Sequence, residues 1–290
     1  MRKIKFIINP AAGNGDAKKT INLIHSKLET TDLEYSISIS GYKGDVERIS
    51  SEAVDNGYTD IVAVGGDGTV LETFNGLYNK NINLGLIPAG TGNDFVKMVN
   101  INKNFDDAID KIIKGNTKVI DIGLVNETHF LNVVAMGIDG DIVKKTEQVK
   151  KIIKGSPAYI YSTFSTLLNY KCKNVRIEID GEIYNRKVYL VAVGNGKYFG
   201  GGMMVTPGAE LDSENLEIVI INEMSRMKFA VLFKKVFSGK HIYESPVEVF
   251  YGKHVKIIAD DPLMVNADGN IIGESTADIH ILPKAQKVIY

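Results

Sequence analysis

Three glycine-containing loops that follow predicted strands are the features of this sequence best suited to chemistry. They are Asn9–Gly15, Gly65–Thr69 and Pro88–Phe95. Glycine lets several backbone N–H groups approach one point, and such groups beside a helix N-terminus bind phosphate well. Because ligands of open α/β sheets bind outside the carboxyl ends of strands, we expect the three loops to form one site.

An acidic residue lies inside the second of these loops. Asp67 stands in the run Gly65-Gly66-Asp67-Gly68-Thr69, where its charge would repel phosphate unless a cation lies between them. The residue therefore indicates either a Mg²⁺–nucleotide site or a proton-accepting role. The alternative is a tight turn in which Asp67 caps a helix.

The first loop does not match the best-known phosphate-binding fingerprints. A dinucleotide fingerprint fails because Lys18 stands where the third glycine belongs. A P-loop also fails, since every Gly-Lys pair in the chain is followed by a residue other than Ser or Thr.

The elements that must position these loops alternate between strand and helix over the first hundred residues. The predicted strands are Ile4–Ile8, Tyr35–Ser40, Ile61–Val64 and Leu84–Ile87. Helices are predicted to begin at Ala17, Asp45 and Val70, where apolar residues recur with helical spacing. This alternation of strands and helices is typical of a parallel sheet covered by helices. Two of these strands end in the second and third loops.

Beyond about Asp121 the sequence predicts hairpin-like strands with two helical insertions. The predicted strands are Arg176–Ile179, Tyr184–Val193, Leu216–Asn222, Val255–Ala259 and Ile279–Leu282. We therefore predict an α/β protein of two domains: a Rossmann-like three-layer α/β domain over residues 1–125, which the 284–290 tail is a candidate to rejoin, and a β-rich sandwich domain over residues 126–283.

Composition excludes several classes of protein. The chain has 290 residues, 44% of them apolar, which excludes a disordered or fibrous chain. Lys+Arg 34 against Asp+Glu 35 gives a charge of -1, so nothing global indicates a nucleic-acid partner. Cys172 has no partner for a disulfide, and neither a signal-peptide core nor an apolar run of roughly 20 residues is present, so we expect a cytoplasmic protein. The histidines show no metal-ligand spacing, so no zinc site is predicted.

The loops, taken together with later motifs, resemble the bacterial soluble diacylglycerol kinases and their lipid-kinase relatives, which include the sphingosine and ceramide kinases. The later motifs are Gly137–Asp139, Gly200–Gly202 with Pro207, and Asp268–Gly269. NAD kinases are similar over Gly65–Thr69, whereas the run Gly90–Phe95 favours the lipid kinases.

The resemblance implies a nucleotide-binding N-terminal domain, a lipid-substrate domain after it, and an active site in the cleft between them. The ATP site that it implies is made of Asn9, Pro10, Ala11, Ala12, Gly13, Ser40, Gly66, Asp67, Gly68, Thr69, Val70, Leu71, Glu72 and Thr91. It also implies a structural Mg²⁺ held by the Asp212 carboxylate and the carbonyl oxygens of Asn215 and Glu217. Oxygen ligands suit this cation.

The chain departs from the family at Asn270. Relatives usually have Glu at this position of the Asp-Gly-Glu motif, and that Glu is often assigned as the proton acceptor, which an amide cannot be. Three carboxylates are candidates for the vacant role. Asp268 ranks first, Asp67 second, and Glu274, which would have to fold back to the same place, third.

The sequence thus predicts an ATP-dependent lipid kinase, most directly one that converts diacylglycerol to phosphatidic acid, with ATP and Mg²⁺ as cofactors. The alternatives are an NAD kinase, or a nucleotide- or lipid-binding regulatory protein in which Asn270 has impaired catalysis. We expect a lipid substrate at a membrane surface as partner, no nucleic acid, and an exposed edge strand as a candidate surface for a homodimer. The lysine-rich segments Met224–His241 and 144–173 could lie on anionic lipid, or be core-packed helices with a solvated face.

Overall fold

The computed structural model describes residues 2–12, 17–99, 101, 104–138 and 170–290. The chain forms two compact units, residues 1–122 with 283–290 and residues 123–282. It passes from the first unit to the second within β5 (Thr117–Val125) and returns within β17 (Thr276–Ile289). Gly13, Asp139 and nearly all of the predicted lysine-rich segment 144–173 lie outside the described residues.

The first unit is a parallel sheet with helices between its strands. Its elements before β5 are β1 (Lys3–Ile8), α1 (Ala17–Leu28), β2 (Glu34–Ile39), α2 (Asp45–Asp55), β3 (Asp60–Gly65), α3 (Asp67–Leu77), β4 (Asn83–Pro88), α4 (Asp94–Met98) and α5 (Phe105–Lys114). The strand order is β4-β3-β1-β2, and every neighbouring pair is parallel. The predicted Rossmann-like α/β fold is confirmed.

Burial and caps explain why these residues form these elements. Every residue of β3 is buried, as expected for a central parallel strand with both faces covered. Helices α4 and α5 were not predicted from the sequence, although α5 carries clear signals. The Asn104 side chain accepts a hydrogen bond from Asp106 N, and Gly115 ends the helix in the left-handed conformation.

The second unit is antiparallel and rich in strands. After the end of β5 its elements are β6 (Thr128–Phe130), β7 (Val133–Gly137), β8 (Lys173–Ile179), β9 (Glu182–Gly194), β10 (Tyr198–Phe199), β11 (Met203–Met204), β12 (Leu216–Asn222), α6 (Arg226–Val236), a 3₁₀ turn (Lys240–Tyr243), β13 (Val247–Gly252), β14 (His254–Ala259), β15 (Met264–Ala267), β16 (Asn270–Glu274) and most of β17. The predicted β-rich C-terminal domain is confirmed. Among the described strands β13 pairs with β12 alone, which makes it an edge strand; a homodimer built on it stays a prediction.

Side chains that alternate along the strands pack into two apolar clusters in the second unit. Along β9, Val191 and Val193 belong to one cluster, and Leu190 and Ala192 to the other. Helix α6 covers the second cluster with its buried face. No helix within the described ranges is long and apolar enough to cross a bilayer.

Acid should weaken this unit through His241. The ring is fully buried, with Nε2 3.0 Å from the Val205 carbonyl oxygen, and burial lowers the pKa of His241. In the unfolded chain the His241 imidazole takes up a proton near pH 6.5, whereas in the folded chain it stays neutral at that pH. The free energy of unfolding therefore falls as pH drops below about 6.5. We expect a loss of up to about 1 kcal/mol between pH 6.5 and 5.5 that is absent in His241→Gln. Urea unfolding of both proteins across this range measures it; parallel pH profiles would contradict the prediction.

Candidate functional site

The three glycine-containing loops follow three adjacent strands of the first unit. Strand β3 lies between β1 and β4, with Ile8 opposite Val64 and Gly65 opposite Pro88 at their carboxyl ends. Because the strands are parallel, all three loops leave the same edge of the sheet. The expected convergence is therefore present in the described part of these loops.

The second and third loops touch through their glycines. Ala89 N and Gly90 N donate to the Gly65 carbonyl oxygen at 2.8 and 3.2 Å. A Cβ at Gly90 would lie 2.4 Å from Gly66 Cα, too close for any side chain without movement of the backbone. The Asn93 side chain closes the third loop, since its amide bonds both the N–H and the carbonyl of Gly90.

The first loop is fixed to helix α3 by Asn9. Asn9 Nδ2 donates to Thr69 Oγ1 at 3.0 Å, and Asn9 Oδ1 accepts from Ala11 N at 3.0 Å. The Thr69 side chain is buried, so the contact sets the position of the loop rather than facing solvent.

The N-terminus of α3 lies among these loops and carries no side-chain cap. Gly66 occupies the cap position without a side chain, and the first intrahelical bond runs from Val70 N to the Gly66 carbonyl. The N–H groups of the first turn therefore have no partner within the helix and point toward the loops. Gly68 is exposed, with nothing within 4 Å of the place where its Cβ would be. This arrangement can bind a phosphate group.

Asp67 caps the neighbouring helix α4. Its two carboxylate oxygens accept hydrogen bonds from Asp94 N and Phe95 N at 3.1 and 2.9 Å. Burial raises the pKa of Asp67, and the charge of Asp94 adds to this effect, while the two N–H donors and Lys97 oppose it. The capping alternative raised by the sequence is thus present, though on α4 and not on α3. A role in Mg²⁺ binding or proton transfer stays a prediction.

The other residues predicted to bind nucleotide lie around the same edge of the sheet. Ser40 is buried, and its N–H donates to the Ile8 carbonyl at 2.9 Å. Glu72 accepts from Gly44 N at 3.2 Å, which joins α3 to the turn before α2. The Val70 side chain belongs to the core, so only its backbone faces a ligand, whereas Thr91 is exposed.

In the second unit Asp268 anchors a hairpin. Asp268 and Gly269, with φ 46° and 88°, form the two-residue turn that pairs Ala267 with Asn270, a conformation that favours Asp-Gly. The Asp268 carboxylate accepts from the consecutive N–H groups of Leu131, Asn132 and Val133 at 2.6 to 3.1 Å. Both oxygens are therefore engaged, and this geometry favours positioning; proton transfer by Asp268 stays a prediction.

Replacing Asp268 with Asn should destabilise the second unit. Asparagine has nearly the same size as aspartate and also tolerates a positive φ, but it places an NH₂ group against the backbone N–H donors that contact the Asp268 carboxylate. We expect the free energy of unfolding to fall by about 1.5–3 kcal/mol, the contribution of hydrogen bonds to a charged group. Urea unfolding of Asp268→Asn beside Asp261→Asn, an exposed carboxylate of the same unit, measures the difference; equal midpoints would contradict it.

The hairpin rules out Glu274 as a substitute for the missing carboxylate. Strand β16 is extended, with Asn270 opposite Ala267 and Glu274 opposite Met264. Four residues of β16 lie opposite three steps of β15 because the register shifts once, so Glu274 and Asn270 are still separated by roughly 10 Å or more. The prediction that Glu274 could fold back was wrong, because pairing with β15 holds it at the other end of the hairpin.

Buried amides near Asp268 were missed by the sequence analysis. Asn132 and Asn195 are at most 2% exposed and lie side by side, since Asn195 N donates to the Asn132 carbonyl and Asn195 Nδ2 to that of Leu131. Asn132 Oδ1 is buried and has no hydrogen-bond partner among the described residues. Such an acceptor calls for a donor from a ligand or water. Single asparagines at strand ends gave no signal of this in the sequence.

The predicted metal ligands lie in and after one loop of the second unit. Asp212 is exposed, and the Asn215 carbonyl accepts from Ser213 Oγ at 3.1 Å. Glu217 lies in β12, which is paired on both sides, and its buried carboxylate accepts from Gly208 N at 2.7 Å. Burial raises the pKa of Glu217, opposed by that donor. Asp212 would be the one charged ligand of this set; Mg²⁺ binding here stays a prediction.

Both parts of the chain match known protein families. Residues 3–125 match the Diacylglycerol kinase catalytic domain, and residues 132–290 match the YegS C-terminal NAD kinase beta sandwich-like domain. A protein of Staphylococcus saprophyticus named diacylglycerol kinase is 28% identical over 275 residues, 94% of this chain and 90% of that protein. One of Staphylococcus aureus with the same name is 29% identical over 279 residues, 96% of this chain and 89% of that protein.

A solved structure agrees with these relatives. Superposition on the crystal structure of a diacylglycerol kinase from Bacillus anthracis str. Sterne covers 100% of this chain and 97% of that chain, with a TM-score of 0.77 and 25% sequence identity. A Rossmann-like unit that matches the diacylglycerol kinase catalytic domain, followed by a sandwich-like domain, defines a class of phosphotransferases that includes the lipid kinases. Within it, this chain belongs to the bacterial diacylglycerol kinase family and is a kinase of the lipid kinase type.

Proposed function

We propose that this protein transfers the γ-phosphoryl group of ATP to a hydroxyl group of a lipid, most directly that of diacylglycerol, to give phosphatidic acid. The observation that carries the proposal is the set of three loops around the uncapped N-terminus of α3, within the region that matches the diacylglycerol kinase catalytic domain. The names of the relatives support diacylglycerol as the acceptor.

The nucleotide would be held mainly by backbone. Asn9 positions the first loop, Gly66 lets the second loop approach Gly90 closely, and Gly68 leaves open space at the first turn of α3. Thr91 lies exposed in the third loop. Backbone N–H groups fixed by the fold need no reorganisation as charge develops on the transferred group. When bound, ATP supplies that group and Mg²⁺ offsets the charge on its oxygens.

A divalent cation fits the acidic pair beside these loops. Asp67 and Asp94 are close enough that the charge of Asp94 raises the pKa of Asp67, and Lys97 bonds Asp94 Oδ1 at 2.7 Å. Because Lys97 already offsets the charge of Asp94, Asp67 is the carboxylate of this pair that would hold Mg²⁺, a cation that prefers oxygen ligands. The N–H groups of α4 fix the Asp67 carboxylate in place.

On the acceptor side, Asn132 Oδ1 is buried and has no hydrogen-bond partner among the described residues, so a lipid hydroxyl would bond it only after a local movement of the protein. Asp268 would position the Asn132 backbone, since it accepts from Asn132 N at 3.1 Å. Asn270 adjoins the Asp268–Gly269 turn and cannot accept a proton. We therefore propose a slow kinase that relies on positioning and electrostatics, and the catalytically impaired regulatory protein is the second candidate.

Incubation with γ-labelled ATP tests the proposal, with diacylglycerol, a total lipid extract and NAD as parallel acceptors. The variant Gly68→Asp places a carboxylate in the open space at the first turn of α3, where a negative charge stabilises the helix but repels phosphate. Gly273→Asp is its control, since that position is equally open. We expect label in diacylglycerol with the natural chain and Gly273→Asp, and none with Gly68→Asp. Label in NAD alone, or ATP binding without transfer to any lipid, would reject the lipid kinase.

Contact with a membrane would come through the outer face of α6. Phe229, Leu232 and Val236 are buried, whereas Met227 and Val231 are 84% and 59% exposed. Arg226, Lys228 and Lys234 are exposed beside them. Exposed apolar residues flanked by cations suit the surface of an anionic bilayer.

Charging this face should abolish binding to vesicles. We expect Met227→Asp with Val231→Asp to lose co-sedimentation with phosphatidylglycerol vesicles, because two carboxylates would meet an anionic surface. Ile183→Asp, at another exposed apolar residue of the second unit, should bind as the natural chain does. Binding that is equal for phosphatidylcholine and phosphatidylglycerol would contradict the proposal.

A further inference from the structure

Three potential metal ligands meet on one face of the second unit. Strands β14 and β17 pair antiparallel, which places His254 directly opposite His280 and Asp278 two residues from it along β17. Because side chains alternate along a strand, all three leave the sheet on the same face. Their spacing along the chain matches no metal motif, so the sequence did not predict the cluster.

The ligand atoms already converge. Nε2 of His254 and Nε2 of His280 lie 2.6 and 2.9 Å from the same oxygen, Asp278 Oδ1. One potential ligand atom from each residue lies within 4.8 Å of the others. The two imidazole rings stack with centroids 4.1 Å apart and planes within 10°. The three side chains are 41–44% exposed, which leaves access from solvent.

Neighbouring residues hold the backbone of the cluster on both sides. Asp180 Oδ1 accepts from His254 N at 2.9 Å, and Asp180 N donates to the His254 carbonyl. Asn126 Oδ1 accepts from Asp278 N at 3.0 Å, and Asn126 N donates to the Asp278 carbonyl. The ligands therefore stand on fixed strands, so little ordering would accompany metal binding.

We propose that His254, Asp278 and His280 form a binding site for Zn²⁺ or a similar divalent transition metal, with water in the fourth position. Two imidazole nitrogens and one carboxylate oxygen are a typical ligand set for such a metal. Tetrahedral bonds of about 2.0–2.2 Å separate ligand atoms by about 3.3 Å, and the lone pair of an imidazole nitrogen lies in the ring plane. The two stacked rings must therefore tilt out of their parallel arrangement, which opens the present hydrogen bonds, before both nitrogens face one ion.

Charge and ligand type select among cations. Lys256, which stands opposite Asp278, repels a cation, and Glu178 opposite Lys256 offsets that charge. Mg²⁺ prefers oxygen ligands and octahedral geometry, so it should not bind here. The site is thus distinct in chemistry from the cation site proposed at Asp67, and it does not depend on the proposed kinase activity.

Calorimetric titration of the chelator-treated, tag-free protein with Zn²⁺ tests the proposal, with Mg²⁺ in parallel. We expect saturation at one equivalent of Zn²⁺ at this site and no heat from Mg²⁺ there. His254→Gln and Asp278→Asn should each weaken Zn²⁺ binding by about 10-fold or more. His25→Gln is the control, since His25 is an exposed histidine that bonds the Tyr35 hydroxyl at 2.8 Å. Zn²⁺ binding that is equal in the natural chain and all three variants would overturn the proposal.

Two further readouts separate metal binding from a loss of fold. Zn²⁺ should raise the unfolding temperature of the natural protein and of His25→Gln, but not of His254→Gln, while the metal-free proteins unfold alike. Co²⁺ bound at the site should give the visible absorption of a four-coordinate ion, and this signal should be absent in His254→Gln. A six-coordinate Co²⁺ spectrum, or a site that persists in His254→Gln, would reject the ligand assignment.

Discussion

An Asn270→Glu variant should phosphorylate a lipid hydroxyl about 10²- to 10⁴-fold faster than the natural chain, the usual contribution of a positioned general base. Asn270 is exposed and is the first residue of β16 after the turn that Asp268 anchors, so a longer carboxylate fits there without a change of fold. An amide at this position can orient the acceptor hydroxyl but cannot take its proton.

A second variant separates the effect of proton transfer from the effect of a longer side chain at position 270. Asn270→Gln has the same length as Asn270→Glu and no basic group, so it should stay as slow as the natural chain. Rates measured with γ-labelled ATP and diacylglycerol across pH should rise with ionisation of the new carboxyl group only in Asn270→Glu. Equal rates for Glu and Gln would show that the missing base does not limit the reaction.

Gly90→Ala should lose about 10²-fold in kcat/KM for ATP. A Cβ at Gly90 meets Gly66 Cα at 2.4 Å and Asn93 Oδ1 at 2.7 Å, so the second and third loops must separate. Backbone cannot give way as a flexible side chain does, and displacement of a binding group by 1 Å costs about this factor. Overpacking should also lower stability by about 1–3 kcal/mol.

Gly273→Ala is the matched control, because nothing lies within 4 Å of the Cβ it adds. Steady-state kinetics and thermal unfolding of the two variants should therefore differ clearly. If Gly90→Ala kept the ATP affinity of the natural chain, the close contact between Gly66 and Gly90 would have no part in shaping the nucleotide site.

The sequence was sufficient for features that local chemistry determines. Apolar runs followed by glycine-containing loops indicated the strands of the first unit. The Asp180-Gly181 turn, with φ 47° and 93°, marked a hairpin. Parallel pairing then brings the ends of β1, β3 and β4 to one edge of the sheet, as expected from the general rule.

Features that depend on strand register or on packing could not be predicted in this way. Whether Glu274 could reach Asn270 depends on the extension of β16, and the meeting of His254 with His280 depends on the pairing of β14 with β17. The contacts of Asp67 with the N–H groups of Asp94 and Phe95 could not be predicted either, because nothing in its own loop shows that its carboxylate reaches α4. Each of these relations joins residues that are distant along the chain.

The return of the chain into the first unit has a consequence for biosynthesis. Lys287 and Val288 pair with Asn83 and Leu84, and Val288 and Ile289 are fully or almost fully buried. A ribosome makes these residues after the whole second unit. Although N-terminal domains usually fold first during synthesis, the edge of β4 gains this neighbour only after the second unit has been made. A nascent chain therefore exposes an unpaired apolar strand edge for the time needed to make the second unit, a period in which chaperones would be expected to protect it.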